Sequence, residues 1–188
     1  MNALSRIQSV CVYCGSSDAA DPAFLAAATS LGQLLAQSGI RLVYGGGGIG
    51  LMGATARAAH AAGGRVLGVM PEFLRSREIL LDEVETVVVR TMHERKMIMF
   101  EQSDAFIALP GGVGTLEEII ELLSWRRLGL HQKPVAFLNL QGFWAPLFRL
   151  IEHTIEARLT PPAFREAYVS VDRVEDLLPA LQRAPRAA

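Results

Sequence analysis

Short apolar runs alternate with longer helical patterns along the whole chain, and this alternation constrains the fold more than any other feature. Runs typical of strands occupy residues 7–13, 41–44, 65–69, 86–90, 105–109, 134–139 and 168–171. Most are apolar on both faces, as strands of a buried parallel sheet are. Helical patterns occupy residues 22–37, 51–62, 92–102, 114–128, 143–158 and 174–183. Repeated βαβ units with right-handed crossovers are therefore predicted.

The predicted fold is α/β: a single Rossmann-like domain with an open, mostly parallel sheet and helices on both faces. A chain of 188 residues with 51% hydrophobic residues can bury one sizeable core. We expect the domain to span residues 1–183, with 184–188 as a frayed tail. In such sheets, ligands bind at the carboxyl ends of the strands. The loop 71–82, which precedes the run 86–90, is expected to overhang that edge.

Charge and hydropathy narrow the range of partners. The formal net charge of -1 gives no excess of Lys and Arg, so neither a nucleic acid nor an anionic membrane is expected as a partner. A small anion can still be held locally. No stretch approaches the roughly 18 apolar residues of a membrane helix, and the first residues do not resemble a secretory signal. We therefore expect a cytoplasmic protein.

The only two cysteines, Cys11 and Cys14, form a C-x-x-C pattern. A zinc site needs a second pair of ligands, which the sequence does not offer. In an extended strand, residues three apart point to opposite faces, and this disfavours a disulfide. Burial as small hydrophobic side chains is favoured over redox chemistry, and we expect no metal and no cofactor.

A first glycine loop, GGGGIGLMG at 45–53, lies between a strand and a helix. Its glycines, Gly45, Gly46, Gly47 and Gly48, are candidates for binding phosphate through backbone N–H groups. The loop also satisfies G-x-G-x-x-G, and Glu72 stands near the position where a dinucleotide site has its ribose-binding acid. A nicotinamide- or flavin-dependent oxidoreductase stays open, as does a tight turn with no ligand.

A second glycine loop, PGGVGTLEE at 110–118, is more specific. Its glycines expose backbone donors at the start of a helix, and Thr115 adds a hydroxyl. It is not a Walker A loop, because no Gly-Lys-Ser/Thr follows. We expect Glu117 to complement the helix dipole, whereas Glu118 projects about 100° away from it and is favoured as a functional carboxylate. Glu121 lies one turn beyond Glu118 on a similar face.

The pattern MHERK at 92–96, followed by PGGVGTLEE at 110–118, resembles the Lonely Guy family of cytokinin riboside 5'-monophosphate phosphoribohydrolases. The segments CVYCGSS at 11–17, 44–53 and WRRLGLHQKP at 125–134 are similar to family segments in the same order. The resemblance implies hydrolysis of the N-glycosidic bond of an adenine-type 5'-monophosphate, with Arg95 and Glu118 as catalytic residues. It also implies that the substrate is bound by Glu78, Arg95, Lys96, Gly112, Val113, Gly114, Thr115, Leu116, Glu117 and Glu118.

Several points stay open at this level. The chain departs from the family pattern at 80–84 and 157–160, so the rim of the base pocket and the preferred N6 substituent are undetermined. A non-catalytic carrier, similar to molybdenum cofactor carrier proteins, is an alternative to the hydrolase. A pyridoxal-dependent decarboxylase needs a Schiff-base lysine, and the chain has only Lys96 and Lys133.

The family resemblance implies a homodimer. The apolar run 97–100 agrees with this, because it carries more apolar surface than one buried helical stripe requires.

Overall fold

The computed structural model describes residues 7–75 and 79–184, and these form one seven-stranded sheet. The strands are β1 (Ser9–Tyr13), β2 (Arg41–Tyr44), β3 (Val66–Pro71), β4 (Glu85–Val89), β5 (Ala105–Ala108), β6 (Val135–Leu138) and β7 (Val169–Val171). Their order is β4-β3-β2-β1-β5-β6-β7, and every pairing is parallel. The predicted open parallel α/β sheet is confirmed. Each predicted strand boundary lies within two residues of the observed one.

The helices are α1 (Pro22–Gln37), α2 (Gly50–Ala61), α3 (Met92–Glu101), α4 (Val113–Arg127), α5 (Ala145–Glu156) and α6 (Leu177–Arg183). Two begin later than the sequence predicts. Pro146 lies in the first turn of α5, the part of a helix that accommodates a residue without an N–H. Pro179 has the same effect on α6: a helix starting at Val174 would put this ring against a carbonyl, and residues Val174–Asp176 form a 3-10 turn instead.

Two apolar layers cover the sheet, as expected for helices on both faces. One contains side chains of α1, α2 and α6, and the other contains side chains of α3 and α4 together with Trp144. Cys11 belongs to the second layer and Cys14 to the first, so their side chains lie on opposite faces of the sheet, as predicted. The two edge strands, β4 and β7, are less buried than the five strands between them, and Val87 and Val88 of β4 are exposed.

The carboxyl edge of the sheet gathers the loops that follow β1, β2 and β5. The chain reverses its direction of winding at β1, which has β2 on one side and β5 on the other. Such a switch point leaves a crevice in which ligands bind. Gly15, just after β1, connects both glycine loops: its N–H donates to the Pro110 carbonyl (3.1 Å), and its carbonyl accepts from the N–H of Leu51 (3.0 Å).

The segment after β3 returns across the first glycine loop. Gly48 donates its N–H to the carbonyl of Ile79 at 2.6 Å, and Gly47 forms an isolated antiparallel bridge with Leu80. The predicted overhang of the carboxyl edge is thus present at residues 79–80. The predicted binding residue Glu78 lies outside the described residues. Within the described part of the chain, no helix combines the length and the apolar character needed to cross a membrane.

Candidate active site

A buried ion pair joins the two predicted catalytic residues. Nη1 of Arg95, on α3, lies 3.5 Å from Oε1 of Glu118, on α4. Arg95 is 5% exposed and Glu118 is 9% exposed. Burying two charges is costly unless they are paired and hydrogen-bonded, so a pair at this depth is a candidate functional site. The structure therefore brings together the carboxylate and the guanidinium that the sequence singled out.

Arg95 is held by backbone carbonyls of two neighbouring strand segments as well as by the carboxylate. Its Nε donates to the carbonyl of Val69 (3.2 Å), and its Nη2 donates to the carbonyl of Gly45 (3.3 Å). α3 itself is fixed by a capping box, in which the Thr91 hydroxyl accepts from the N–H of Glu94 and the Glu94 carboxylate accepts from the N–H of Thr91. Arg95 is thus fixed both at its backbone, by the capped helix, and at its guanidinium, by the two carbonyls.

The second glycine loop leaves the start of α4 open. Within the described part of the chain, no side chain caps this helix at Gly112. Val113 is 82% exposed, and a Cβ built on Gly112 or Gly114 would meet no other described residue within 4 Å, apart from its chain neighbours and the helix's own backbone. Thr115 is buried against Gly111. An uncapped, glycine-rich helix start with accessible N–H groups is a ready anion site.

Lys96 neighbours Arg95 in sequence but has different partners. Its ammonium lies 2.6 Å from Oε1 of Glu117 and 2.8 Å from Oε2 of Glu121. Burial lowers the pKa of Lys96, but the hydrogen bonds to both carboxylates outweigh burial, and the pKa lies above its ordinary value. The ammonium of Lys96 therefore stays protonated, and its charge is balanced by two carboxylates of the protein. The sequence analysis did not find Glu121 as its partner, although the i, i+4 spacing of the two glutamates was available as a signal.

The first glycine loop differs from the second at its helix start. The N–H of Gly50 donates to Oδ1 of Asp18 at 2.8 Å, and the N–H groups of Leu51 and Met52 donate to the Gly15 carbonyl at 3.0 and 3.3 Å. A carboxylate of the protein itself thus occupies the positive end of α2. The sequence analysis missed Asp18. Phosphate binding by the four glycines stays a prediction.

Tyr13 is a further neighbour that the sequence analysis did not select. It ends β1, its side chain is buried, and its ring stacks on Phe106 at 5.8 Å. Burial raises the pKa of its hydroxyl well above the usual value, and the nearby Cys11 and Glu118 raise it further. The phenol therefore stays neutral beside the glutamate. Its place at the end of the central strand, on the same face as Cys11, was a usable signal.

The oxidoreductase alternative loses its support at this site. Glu72 directly follows β3, but its carboxylate forms an exposed ion pair with Arg75 at 3.3 Å. Asp18 occupies the helix start at which a dinucleotide would bind its pyrophosphate.

A pyridoxal-dependent decarboxylase is not supported either, because both lysine side chains already have partners. Lys96 is bound by two carboxylates, and Lys133 donates to the carbonyl of Phe100 (2.7 Å) and lies 4.0 Å above the ring of Phe100. Neither lysine is placed to form a Schiff base. Residues 7–75 and 79–184 also contain no group of three or more His, Cys, Asp or Glu side chains that could hold a metal ion.

Solved structures with the same fold include a molybdenum cofactor binding protein from Rippkaea orientalis. It is 27% identical to this chain, with a TM-score of 0.67, covering 91% of this chain and 93% of that one. The molybdenum cofactor carrier protein of Chlamydomonas reinhardtii has a TM-score of 0.70 at 23% identity, covering 95% and 98% of the two chains. The likeness to the second protein concerns the fold alone.

Relatives found by sequence share a higher identity with this chain than these solved structures do. Cytokinin riboside 5'-monophosphate phosphoribohydrolase LOG5 of Arabidopsis thaliana is 44% identical over 179 residues, covering 95% of this chain and 78% of the relative. The probable phosphoribohydrolase LOGL2 of Oryza sativa subsp. japonica is 45% identical, covering 95% and 73%. A family profile described as "Possible lysine decarboxylase" matches residues 52–181. The predicted resemblance is thereby confirmed, and the chain belongs to the LOG family of cytokinin riboside 5'-monophosphate phosphoribohydrolases.

Proposed function

We propose that this protein hydrolyses the N-glycosidic bond of cytokinin riboside 5'-monophosphates, giving the free base and ribose 5-phosphate. The observation that carries the proposal is the buried Arg95–Glu118 pair at 3.5 Å. Glu118 lies in the first turns of α4, whose glycine-rich start has no side-chain cap at Gly112. An anion site beside a buried carboxylate suits a phosphorylated sugar whose reacting carbon becomes positive. The 44% identity to LOG5 supports the same activity.

The 5'-phosphate is assigned to the second glycine loop. The N–H groups of the exposed residues Gly112, Val113 and Gly114 and the hydroxyl of Thr115 supply donors, and the dipole of α4 favours the negative charge. Leu116 and Glu117 continue this binding segment. Lys96 belongs to it through Glu117, whose carboxylate it contacts. Glu78 is included from the family resemblance alone.

Glu118 is assigned to the transition state. As the bond between C1' and the base nitrogen breaks, positive charge develops on the ribose ring, and a fixed carboxylate stabilises that charge more than it stabilises the substrate. Water then forms the new bond to C1', with Glu118 orienting it, and the base departs with a proton. The planar guanidinium of Arg95 donates hydrogen bonds, and binding the phosphate or stabilising the departing base are the two roles open to it.

The experiment is product analysis with matched substrates. The protein is incubated with AMP, with isopentenyl-substituted AMP and with the corresponding riboside lacking phosphate, and free base is measured by chromatography. We expect base from the monophosphates and little from the riboside, because the riboside cannot use the helix-start site. Base release that is independent of the phosphate would contradict the assignment of the loop.

A non-catalytic carrier is the second candidate, and it rests on the 27% identity to the molybdenum cofactor binding protein. A carrier binds its ligand and returns it unchanged. The same incubation distinguishes the two functions, because a carrier releases no base from any of the three compounds.

We also propose that the protein is a homodimer that pairs through α3 and α4. Met97 on α3 is 42% exposed, and Ile120 on α4 is 45% exposed. Val113 and Ile120 lie on the same stripe of α4 as Glu117, the partner of Lys96. Light scattering on the native protein should give twice the chain mass, and Met97→Glu should shift the mass towards the monomer. An unchanged dimer in this variant would exclude this surface.

A cytoplasmic location of the protein stays a prediction.

A further inference from the structure

The guanidinium of Arg95 lies against two backbone carbonyls that the sheet brings side by side. β2 and β3 are parallel neighbours in which Tyr44 pairs with Gly68, so Gly45 and Val69 follow at the same level. Their carbonyls accept from Nη2 (3.3 Å) and Nε (3.2 Å) of Arg95. These two nitrogens form one edge of the guanidinium, while Nη1 is directed to Glu118. The position of Arg95 relative to Glu118 therefore depends on the carbonyl of Val69 within β3 and on that of Gly45 directly after β2.

Gly45 also provides the space that the guanidinium occupies. A Cβ built on Gly45 would lie 1.9 Å from Nη2 and 3.1 Å from Cζ of Arg95. Carbon and nitrogen atoms in contact need about 3.5 Å. Any side chain at this position would displace the guanidinium by more than an ångström. The displaced atoms belong to the tip of a flexible side chain, so the backbone of the loop need not change.

The other end of the same loop is occupied by the protein's own groups. Asp18 accepts from Gly50, the Gly15 carbonyl accepts from Leu51, and the Ile79 carbonyl accepts from Gly48. These contacts take the N–H groups with which a glycine loop at a helix start ordinarily binds phosphate. The absence of a side chain at Gly45 thus has a different explanation, which is its contact with Arg95.

We infer that Gly45 is a positioning residue for Arg95, and that the first glycine loop serves the reaction by fixing this arginine opposite Glu118. The inference rests on the proposed function for its catalytic consequence, but its structural part does not. A misplacement of about 1 Å in a catalytic group costs about 10²-fold in rate. We therefore expect Gly45→Ala to lower kcat/KM about 10²-fold while leaving the protein folded.

The test is a double-mutant cycle of the native protein, Gly45→Ala, Arg95→Ala and the double variant. If Gly45 acts through Arg95, the double variant has the kcat/KM of Arg95→Ala alone, since no guanidinium remains to be displaced. Equal, additive losses in both backgrounds would overturn the inference, and so would a native kcat/KM in Gly45→Ala. Thermal unfolding of each variant shows whether a loss of activity comes from loss of fold.

A second readout does not depend on activity. The Nε–H resonance of Arg95 in ¹⁵N-arginine-labelled protein is identified by its loss in Arg95→Ala. In Gly45→Ala this resonance should shift and the Nε–H proton should exchange faster with water, because the displaced guanidinium loses its hydrogen bond to the Val69 carbonyl. An unchanged resonance would overturn the inference. If the native protein released no base, the proposed function would fail, and this measurement alone would decide the role of Gly45.

Discussion

Replacing Glu118 with Gln removes one charge and keeps the size of the side chain. If the carboxylate stabilises the positive ribose and orients the attacking water, kcat should fall about 10²–10⁴-fold, the range for a positioned acid or base. This loss corresponds to about 3–5 kcal/mol of transition-state stabilisation. Substrate binding should change much less, since the phosphate is assigned to the start of α4 and not to Glu118.

The same change should lower stability by a moderate amount. Breaking a buried ion pair by removing one partner costs about 3–5 kcal/mol. Here Arg95 keeps its hydrogen bonds to the carbonyls of Val69 and Gly45, and the amide oxygen of Gln still accepts. We therefore expect a loss of about 1–3 kcal/mol, the cost of one weakened buried hydrogen bond. At about 2–4 °C for each kcal/mol, the Tm change is measurable and the protein stays folded at 25 °C.

The assay compares the native protein, Glu118→Gln and the matched control Glu156→Gln. Glu156 is an exposed glutamate at the end of α5, remote in sequence from both glycine loops, and its variant should keep native activity. Calorimetry with AMP measures binding, and chromatography measures free base. A Glu118→Gln protein that binds the nucleotide and hydrolyses it at the native rate would refute the assignment of Glu118.

Three further predictions follow from single contacts. Thr115→Val removes a hydroxyl donor from the phosphate site and should raise KM about tenfold, equivalent to about 1.4 kcal/mol; an unchanged KM in steady-state kinetics would contradict the site. Asp18→Ala removes the cap on Gly50 and should cost about 1 kcal/mol in unfolding free energy, with KM unchanged; a lower KM would show that phosphate binds at α2. Burial lowers the pKa of His131, so the unfolded chain binds more protons than the folded one below about pH 6.5, and Tm should fall as the pH drops through that value. His131→Gln should flatten that fall, and an equally steep fall in the variant would contradict the role of His131.

The sequence predicted the sheet well because most of its strands are buried on both faces. Runs such as 105–109 have no polar residue to suggest another structure, and the flanking glycines mark their ends. The edge strand β4 was recognised as a strand but not as an exposed one, because exposure depends on strand order. The helix starts of α5 and α6 were placed too early, although Pro146 and Pro179 were visible in the sequence.

The site was predictable in its residue types but not in its contacts. Glu118 was favoured from its place at the helix start, and the family resemblance gave Arg95 and Glu118 their catalytic roles. Their distance depends on how α3 and α4 pack. Gly45 and Arg95 are fifty residues apart, and they meet because α3 places Arg95 over the paired strands β2 and β3. The capping of Gly50 by Asp18 depends on the path of the loop after β1. No periodic pattern encodes such long-range polar contacts.

The proposed reaction is cleavage of the bond between the base and the ribose of a 5'-monophosphate. The most direct test is the product balance with isopentenyl-substituted AMP, followed by mass spectrometry over time. We predict equal amounts of free base and ribose 5-phosphate, with no riboside formed. Unchanged substrate bound to the protein would contradict hydrolysis and indicate a carrier, and release of riboside would indicate a phosphatase instead.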